Sequence, residues 1–485
     1  MREALAADEA AALATRLVVG LAGPEPTPAE WAWLGEHRPA GVILFGRNVT
    51  GPTQAAQLCR RLRALVPDLQ VMADHEGGPV AQMAAAAGRP PAAWTLGALD
   101  DAALTSEVCR ETAARLARLG ITRVLGPVAD VLEHPRNPVI GARAFGADPA
   151  LCARHVAAAV AGYRAAGLEV CVKHWPGHGG TATDSHLTLE AQLVAGCREP
   201  FLAGLAAGAD AVMVGHLPVA GGEAGGTGLA TLDAAYLEQV RASLAVGGVP
   251  PLLVADDVTM GALREPMRRL GVPRPDAQDS GLVEPGDLPA AWLRALLRAG
   301  CGLLLLRGIP WRALPLSGAL PASEPPALGA GSEGPPALAS LAAPAAVWQE
   351  ARDRLWRREA VAWSAPHLTL AWLDTTAGDR WGAADQRTGA AFAEKLASLF
   401  ARVERRNGAA SAEAPCERLL VTSHRPMGTG LLDGLTLAPG GIALAMGHPS
   451  LAVDLRARLG EAWRVGALFD CDVQDLGSPC AGSAA

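Results

Sequence analysis

Hydrophobic residues in the first 308 positions come in short uninterrupted runs, each followed by a stretch rich in Ala, Leu and Arg. Runs of strand length without polar alternation are typical of parallel strands covered on both faces. The eight runs are TRLVVGL (15–21), GVILFG (41–46), QVMAD (70–74), TRVLGPVAD (122–130), LEVCVKHW (168–175), DAVMVGH (210–216), PLLVADD (251–257) and GLLLLRG (302–308). Eight strands alternating with helices predict an α/β fold, a closed (β/α)8 TIM-like barrel over residues 1–308.

An open, doubly wound sheet is the alternative arrangement of the same elements. Such a sheet more often carries a glycine-rich phosphate-binding turn after its first strand. The segment GLAGPEP that follows the first run is not a Gly-x-Gly-x-x-Gly sequence, which favours the barrel.

The composition changes after residue 308. Residues 309–344 are rich in Pro, Gly, Ala and Ser and are predicted to be a linker with little regular structure. Residues 345–485 return to alternating elements and predict a smaller C-terminal α/β domain. In it, HLTLAWLD (367–374), RLLVTSH (418–424), GIALAMGH (441–448) and WRVGALFD (463–470) are predicted strands, and 347–362, 387–403 and 451–459 predicted helices.

Composition and charge limit the classes of molecule that the protein is expected to bind. Half of the residues are hydrophobic, the formal net charge is −7, and no Lys/Arg-rich run stands out, so neither disorder nor a nucleic-acid partner is expected. No charge-free apolar stretch is long enough to span a bilayer, so no membrane partner is expected. The N-terminal segment mixes acids into a helical pattern unlike a signal peptide, and none of the nine Cys forms a Cys-x-x-Cys pair. These features predict a cytoplasmic protein.

Polar side chains gather where the predicted barrel strands end, which is where barrels of this kind carry out their chemistry. Asp256 closes the seventh run, where a rigid strand could fix a nucleophilic carboxylate. The loop after the fifth run holds Asp184 and His186, whose i, i+2 spacing lets a carboxylate orient an imidazole that acts as acid and base. For each residue alone, a helix cap or a chance neighbour is the simpler interpretation.

A metal site was the competing interpretation of this loop. His174, His178, Asp184 and His186 have ligand types that suit zinc or iron. However, Lys173, Pro176 and three glycines are interleaved with them, and no helix brings the histidines to one face. We therefore predict no metal and no cofactor.

Several segments together resemble glycoside hydrolase family 3, in its β-N-acetylglucosaminidase (NagZ-like) branch. They lie in the family's order and cover nearly the whole barrel region, and the lysine–histidine loop with its Asp-Ser-His is the most specific. The segments are GVILFGRNV (41–49), ADHEGGPV (73–80), GPVADV (126–131), NPVIGARAFG (137–146), KHWPGHGGTATDSH (173–186) and VADDVTM (254–260).

The resemblance implies a role for each matching residue. Asp256 resembles the catalytic nucleophile, His186 the general acid/base, and Asp184 its partner. Four more residues match those that hold the sugar hydroxyls, namely Asp74, Arg143, Lys173 and His174. The C-terminal domain resembles the family's second domain in GIALAMGHPSLAVDL and receives no catalytic residue.

Three positions depart from the family pattern. Pro79 and Gln82 stand where family members usually have basic residues, and Ala142 stands where an Asp usually precedes the arginine. Two cations and a carboxylate are therefore missing near the sugar pocket, and the sugar preference is expected to differ from that of a standard member.

The function implied is retaining hydrolysis of terminal β-linked N-acetylglucosamine, with aryl glycosides and cell-wall muropeptides as carbohydrate substrates and peptidoglycan recycling as the setting. Two rivals stay open. A phosphorylase would use phosphate in place of water, since an imidazole repels phosphate less than a carboxylate does. A non-catalytic sugar-binding protein would fit the missing cations.

Overall fold

The computed structural model describes residues 6–135, 137–181, 197–219, 228–272, 283–317, 336–359, 369–374, 402–406, 416–423, 437–447, 450–459 and 464–468. Their first part contains ten strands, of which eight form one closed parallel barrel in the order β1-β10-β9-β8-β7-β6-β3-β2. The ten are β1 (Leu17–Gly20), β2 (Gly41–Leu44), β3 (Gln70–Ala73), β4 (His75–Gly77), β5 (Val80–Ala81), β6 (Arg123–Val128), β7 (Glu169–Trp175), β8 (Ala211–Val214), β9 (Leu252–Ala255) and β10 (Leu303–Leu306). The predicted barrel is thus confirmed.

The barrel closes because β1 pairs with strands on both of its sides. Leu17 lies opposite Leu304 of β10, and Val18 lies opposite Gly41 of β2. The strand residues that face inward fill the barrel with a separate apolar cluster, which includes Val18, Met72, Leu125, Cys171, Met213, Val254 and Leu305. Both faces of each strand are therefore buried, which explains why the runs are continuous in sequence.

Helices surround the barrel strands and supply the second apolar layer. The described helices are α1 (Ala7–Ala14), α2 (Pro28–His37), α3 (Pro52–Leu65), α4 (Ala84–Ala87), α5 (Ala93–Leu99), α6 (Ala102–Leu119), α7 (Pro149–Ala165), α8 (Glu199–Ala206), α9 (Ala234–Ser243), α10 (Arg264–Arg269), α11 (Ala290–Ala299), α12 (Ala346–Glu359) and α13 (Ser450–Leu459). Asp101, Asp148 and Asp233 cap α6, α7 and α9, each accepting from the backbone N–H three residues on. These capping acids are distinct from the acids at the strand ends.

A second parallel sheet follows the barrel along the chain, in the order β12-β11-β13-β14-β15. Its strands are β11 (Thr369–Asp374), β12 (Arg402–Arg406), β13 (Cys416–Ser423), β14 (Leu437–Gly447) and β15 (Arg464–Leu468). The four strands predicted here are present. The predicted helix over 387–403 was wrong at its end, because residues 402 and 403 begin β12, while 387–401 lie outside the described residues. The α/β fold class of this second part is confirmed.

The segment between the two sheets is attached to the barrel at both ends. Trp33 donates its indole N–H to the backbone oxygen of Leu314, and Leu338 and Leu341 are buried. Further on, Trp348 of α12 packs beneath the Arg115 guanidinium of α6, which lies 4.4 Å from its ring centroid. The domain boundaries at residues 309 and 345 remain a prediction. Within the described ranges, every helix is too short or too polar to reach across a lipid bilayer.

Candidate active site

A cavity of about 250 Å³ opens at the carboxyl ends of the barrel strands. Five of the predicted site residues line it together, namely Asp74, Arg143, Lys173, His174 and Asp256. They come from four different strand ends or loops, so only the closed barrel brings them together. The two remaining predicted residues, Asp184 and His186, lie outside the described residues.

Three charged residues of this cavity, Asp74, Arg143 and Lys173, are connected by ion pairs, two of them through Glu76. Lys173 Nζ lies 2.5 Å from both Asp74 Oδ1 and Glu76 Oε1. Arg143 donates to Glu76 through two nitrogens, with Nε 2.8 Å from Oε2 and Nη2 2.9 Å from Oε1. Lys173 is 1% exposed, and a charge buried to this extent is costly unless it is paired. Both buried cations have a carboxylate partner. We call Asp74, Glu76, Arg143 and Lys173 the charge cluster.

The contacts of the charge cluster shift the pKa values of Glu76 and Lys173 towards their ionised forms. Burial alone would raise the pKa of Glu76, but Arg143 and Lys173 lower it to about 2. Burial opposes the charge of Lys173 in the same way, and Asp74 and Glu76 together raise its pKa. Four charges fixed in this way offer a ligand oriented donors and acceptors without further reorganisation.

His174 is held between an acid and the charge cluster. Its Nδ1 lies 2.7 Å from Asp130 Oδ2, and Arg143 Nη2 lies 3.3 Å from its Nε2. Since the pKa of Asp130 is lowered, mainly by His174 and His178 working against the effect of burial, its carboxylate accepts, and Nδ1 carries the hydrogen. The backbone N–H groups of His174 and His178 also donate to Asp130 Oδ1, at 3.2 and 2.6 Å.

The two neighbouring acids after β9 have different environments. Asp257 is engaged in the loop: its Oδ1 accepts from the Thr259 N–H and hydroxyl, and its Oδ2 from Arg307 Nε at 3.0 Å. Asp256 is half-buried against the cavity, its N–H donates to the backbone oxygen of Val214, and its Oδ1 accepts from the Asp257 N–H at 2.8 Å. Of the pair, Asp256 is therefore the carboxylate suited to reach a bound ligand.

The positions that depart from the family pattern lie near this cavity. Gln82 lines it, and its side-chain oxygen accepts from the Gly46 N–H at 2.8 Å. Pro79 lies in the tight hairpin turn between β4 and β5, and Ala142 is buried in the turn beside Arg143. Pro79 and Gln82 are both uncharged, so neither position supplies the cation that family members usually have.

Three functional candidates were not assigned from the sequence. Glu76 joins Lys173 to Arg143, Asp130 orients His174, and Arg307 lines the cavity beside Asp257. Glu76 and Asp130 stand in motifs already noted at strand ends. That position indicates a site but does not reveal which side chains the two carboxylates contact. Arg307 lies within the eighth run, directly after its four leucines, and its position at a barrel strand end was the available signal.

Comparison with known proteins identifies the family of the barrel. The glycosyl hydrolase family 3 N terminal domain matches residues 13–308, well over half of the chain. A β-hexosaminidase of Stenotrophomonas maltophilia is 36% identical over 214 residues, which are 41% of this chain and 63% of that protein. The chain thus matches less than two thirds of the length of that relative.

Two solved structures extend the comparison. A family 3 β-N-acetylglucosaminidase from Paenibacillus sp. has a TM-score of 0.69 over 98% of this chain and 96% of its own, at 21% identity, which supports the fold alone. NagZ from Neisseria gonorrhoeae, in complex with N-trifluoroacetyl-D-glucosamine, has a TM-score of 0.50 at 28% identity, over 60% of this chain and 80% of its own. On the match to its barrel, this chain belongs to glycosyl hydrolase family 3.

Proposed function

We propose that the chain is a retaining β-N-acetylglucosaminidase that hydrolyses terminal β-linked N-acetylglucosamine, in aryl glycosides and in muropeptide fragments during cytoplasmic peptidoglycan recycling. The observation that carries the proposal is that Asp256 lines the same cavity as three members of the charge cluster, Asp74, Arg143 and Lys173. A carboxylate at a rigid strand end, facing fixed hydroxyl-binding groups, is the arrangement that glycoside hydrolysis needs. The name of the Stenotrophomonas relative and the ligand of the Neisseria protein support the choice of sugar.

The proposed reaction has two steps. Asp256 attacks the anomeric carbon, the bond from that carbon to the leaving oxygen breaks, and His186 gives this oxygen a proton. The product of this step is a covalent glycosyl-aspartate. His186, oriented by Asp184, then takes a proton from water, whose oxygen bonds to the anomeric carbon as Asp256 departs. Two inversions at one carbon give net retention.

The charge cluster and His174 are proposed to hold the sugar in its subsite. Asp74 is the most accessible member of the cluster, with a side chain 22% exposed, and its carboxylate can accept from adjacent hydroxyls. Lys173 and Arg143 line the cavity, and the carboxylates of Asp74 and Glu76 already balance their charge. Binding a hydroxyl therefore leaves no buried charge without a counterion.

A panel of aryl glycosides tests the proposed activity. We expect the aryl β-N-acetylglucosaminide to be cleaved at least about tenfold faster than the β-glucoside in kcat/KM, since missing polar contacts are costly in a buried site. Added phosphate is expected to leave both the rate and the product, the free sugar, unchanged. Formation of a sugar 1-phosphate would instead establish the phosphorylase, and preference for the glucoside would overturn the choice of sugar.

Gly179→Ala is expected to lower both stability and activity. A Cβ at this position would lie 1.7 Å from the backbone oxygen of Val131, so the loop must move. We expect a loss of about 1–3 kcal/mol in the free energy of unfolding, as for other overpacked sites, together with a fall in kcat/KM. Urea unfolding and the aryl assay measure the two effects.

Gly180→Ala is the matched control for this loop. Its Cβ would lie 2.8 Å from the carboxylate of Glu133, which is the end of a flexible side chain and can rotate away. Equal losses in the two variants would show that the close approach of Gly179 to Val131 is unimportant.

A further inference from the structure

A second cavity, of about 560 Å³, adjoins the candidate active site. Loops that follow β1, β2 and β10 line it, together with the turn Pro285–Asp287. Arg307 lines both cavities and is the residue through which they meet. We call this second space the rim cavity and define it by Arg47, Glu284, Asp287, Arg307 and Trp311.

The two arginines of the rim cavity are held differently. Arg47 Nε donates to the backbone oxygen of Leu21 at 2.8 Å, Nη2 donates to that of Arg307, and the guanidinium lies 4.4 Å from the Phe45 ring centroid. Arg307 is fixed through Nε alone, by Asp257. Among the residues that the structure describes, no partner contacts its two terminal NH2 groups. Arg307 therefore has donors to offer a ligand.

The order of the barrel strands gives the direction in which a substrate extends. The charge cluster and His174 stand at β3, β6 and β7, whereas Arg307 follows β10, which lies across the barrel from β6. Asp256 follows β9, the strand that pairs with β10, and lines the same cavity as Arg307. In a pyranose the anomeric carbon lies across the ring from the hydroxyl at C4. If the charge cluster binds the C4 side of the ring, the anomeric carbon faces Asp256 and the leaving group extends towards the rim cavity.

The lining of the rim cavity suits a hydroxyl-bearing sugar ring. Trp311 is half-buried, and its indole lies so close to Gly286 that a Cβ there would be 3.3 Å from its Cδ1. An aromatic ring placed beside polar groups is a common way to bind an amphipathic ring. The exposed carboxylates of Glu284 and Asp287 can accept hydrogen bonds from sugar hydroxyls.

We propose that the rim cavity binds the second sugar of a β-linked disaccharide, with Trp311 contacting the ring and Arg307 donating to its oxygens. This inference rests on the proposed function, since it places the leaving group of that reaction. It makes Arg307 and Trp311 residues that determine which leaving group is preferred, in addition to the residues that hold the first sugar.

The test compares one disaccharide with one aryl glycoside. N,N′-diacetylchitobiose and 4-nitrophenyl β-N-acetylglucosaminide share the first sugar and differ in the leaving group. For both Arg307→Gln and Trp311→Ala we expect kcat/KM on the disaccharide to fall at least about tenfold more than on the aryl glycoside, mainly through KM. Trp311→Phe, which keeps an aromatic ring, is expected to restore most of the difference.

Arg298→Gln is the matched control, because it removes an exposed arginine of α11 that lines neither cavity. Thermal unfolding checks that each variant is folded. Equal changes on both substrates, no change on either, or an unmodified chain that cleaves only the aryl glycoside would overturn the rim cavity as a sugar subsite. An unmodified chain that cleaves neither substrate would overturn the proposed function itself.

Discussion

Asp256→Ala is expected to lower kcat on an aryl β-N-acetylglucosaminide by at least about a thousandfold, because removing a nucleophile abolishes the covalent route. Asp257 cannot take over, since Thr259 and Arg307 hold both of its carboxylate oxygens. Asp68→Asn, an exposed aspartate remote from the cavity, is expected to keep full activity and controls for the loss of a carboxylate.

Two further measurements identify Asp256 as a nucleophile. Azide is expected to restore turnover of the aryl substrate in Asp256→Ala, since it can attack from the vacated face and give the α-glycosyl azide. In the unmodified chain, a 2-fluoro glycoside with a good leaving group is expected to add its mass to the peptide that carries Asp256. A label elsewhere, or normal hydrolysis by Asp256→Ala, would refute the assignment. Sugar binding without any label would favour a non-catalytic protein.

Glu76→Gln is expected to lower the free energy of unfolding by about 3 kcal/mol and to impair catalysis at least about tenfold. The substitution leaves the buried cations Lys173 and Arg143 facing Asp74 as the remaining carboxylate of the charge cluster. Urea unfolding at neutral pH measures the stability, and kcat/KM on the aryl glycoside measures the effect on the sugar site.

Glu265→Gln is the matched control. Glu265 pairs with Arg268 and Arg269, and its pKa is also lowered to about 2, mainly by hydrogen bonds from Arg268, but this group is exposed on α10. Solvent screens such a pair, so almost no change in stability is expected. Comparable losses in the two variants would mean that burial of the charge cluster contributes nothing.

The stabilisation by Glu76 is also expected to depend on pH, in a direction that its lowered pKa determines. The pKa of Glu76 is about 2 in the folded chain and 4.5 as the ordinary value, so the unfolded chain binds the proton more readily. The stabilisation is therefore fully present above pH 4.5 and is lost as the pH falls towards 2. Unmodified chain should lose stability more steeply than Glu76→Gln over this interval. Parallel curves would contradict it.

The barrel could be predicted because each of its strands is covered on both faces, so the runs stay apolar from end to end. The strands are shorter than the runs by one or two residues at most ends, since the flanking residues already belong to loops. The strand Arg402–Arg406 could not be predicted in this way. It is an edge strand of the second sheet, where four charged residues are tolerated and hide the apolar signal.

The candidate site was predictable by residue type but not by pairing. Asp74 and Lys173 were expected to bind sugar hydroxyls, but they also pair with each other, because the ends of β3 and β7 lie at the same cavity. Lys173 pairs with Glu76 as well. Glu76 itself depends on a hairpin that the hydrophobic pattern does not reveal. Gly77, at φ +102°, lies so close to Pro91 that a Cβ there would be 2.1 Å from its backbone oxygen. Local spacing does not encode such a long-range approach.

Asp130 has a consequence for the motions of the molecule. One buried carboxylate accepts from the backbone amides of His174 and His178 and from the imidazole of His174. These amides are protected by a group that leaves water only when the barrel forms, so their hydrogens should exchange with deuterium solely through global unfolding. The backbone around His174 and His178 would then stay rigid throughout turnover, and conformational changes that accompany successive ligands would occur in other loops of the site.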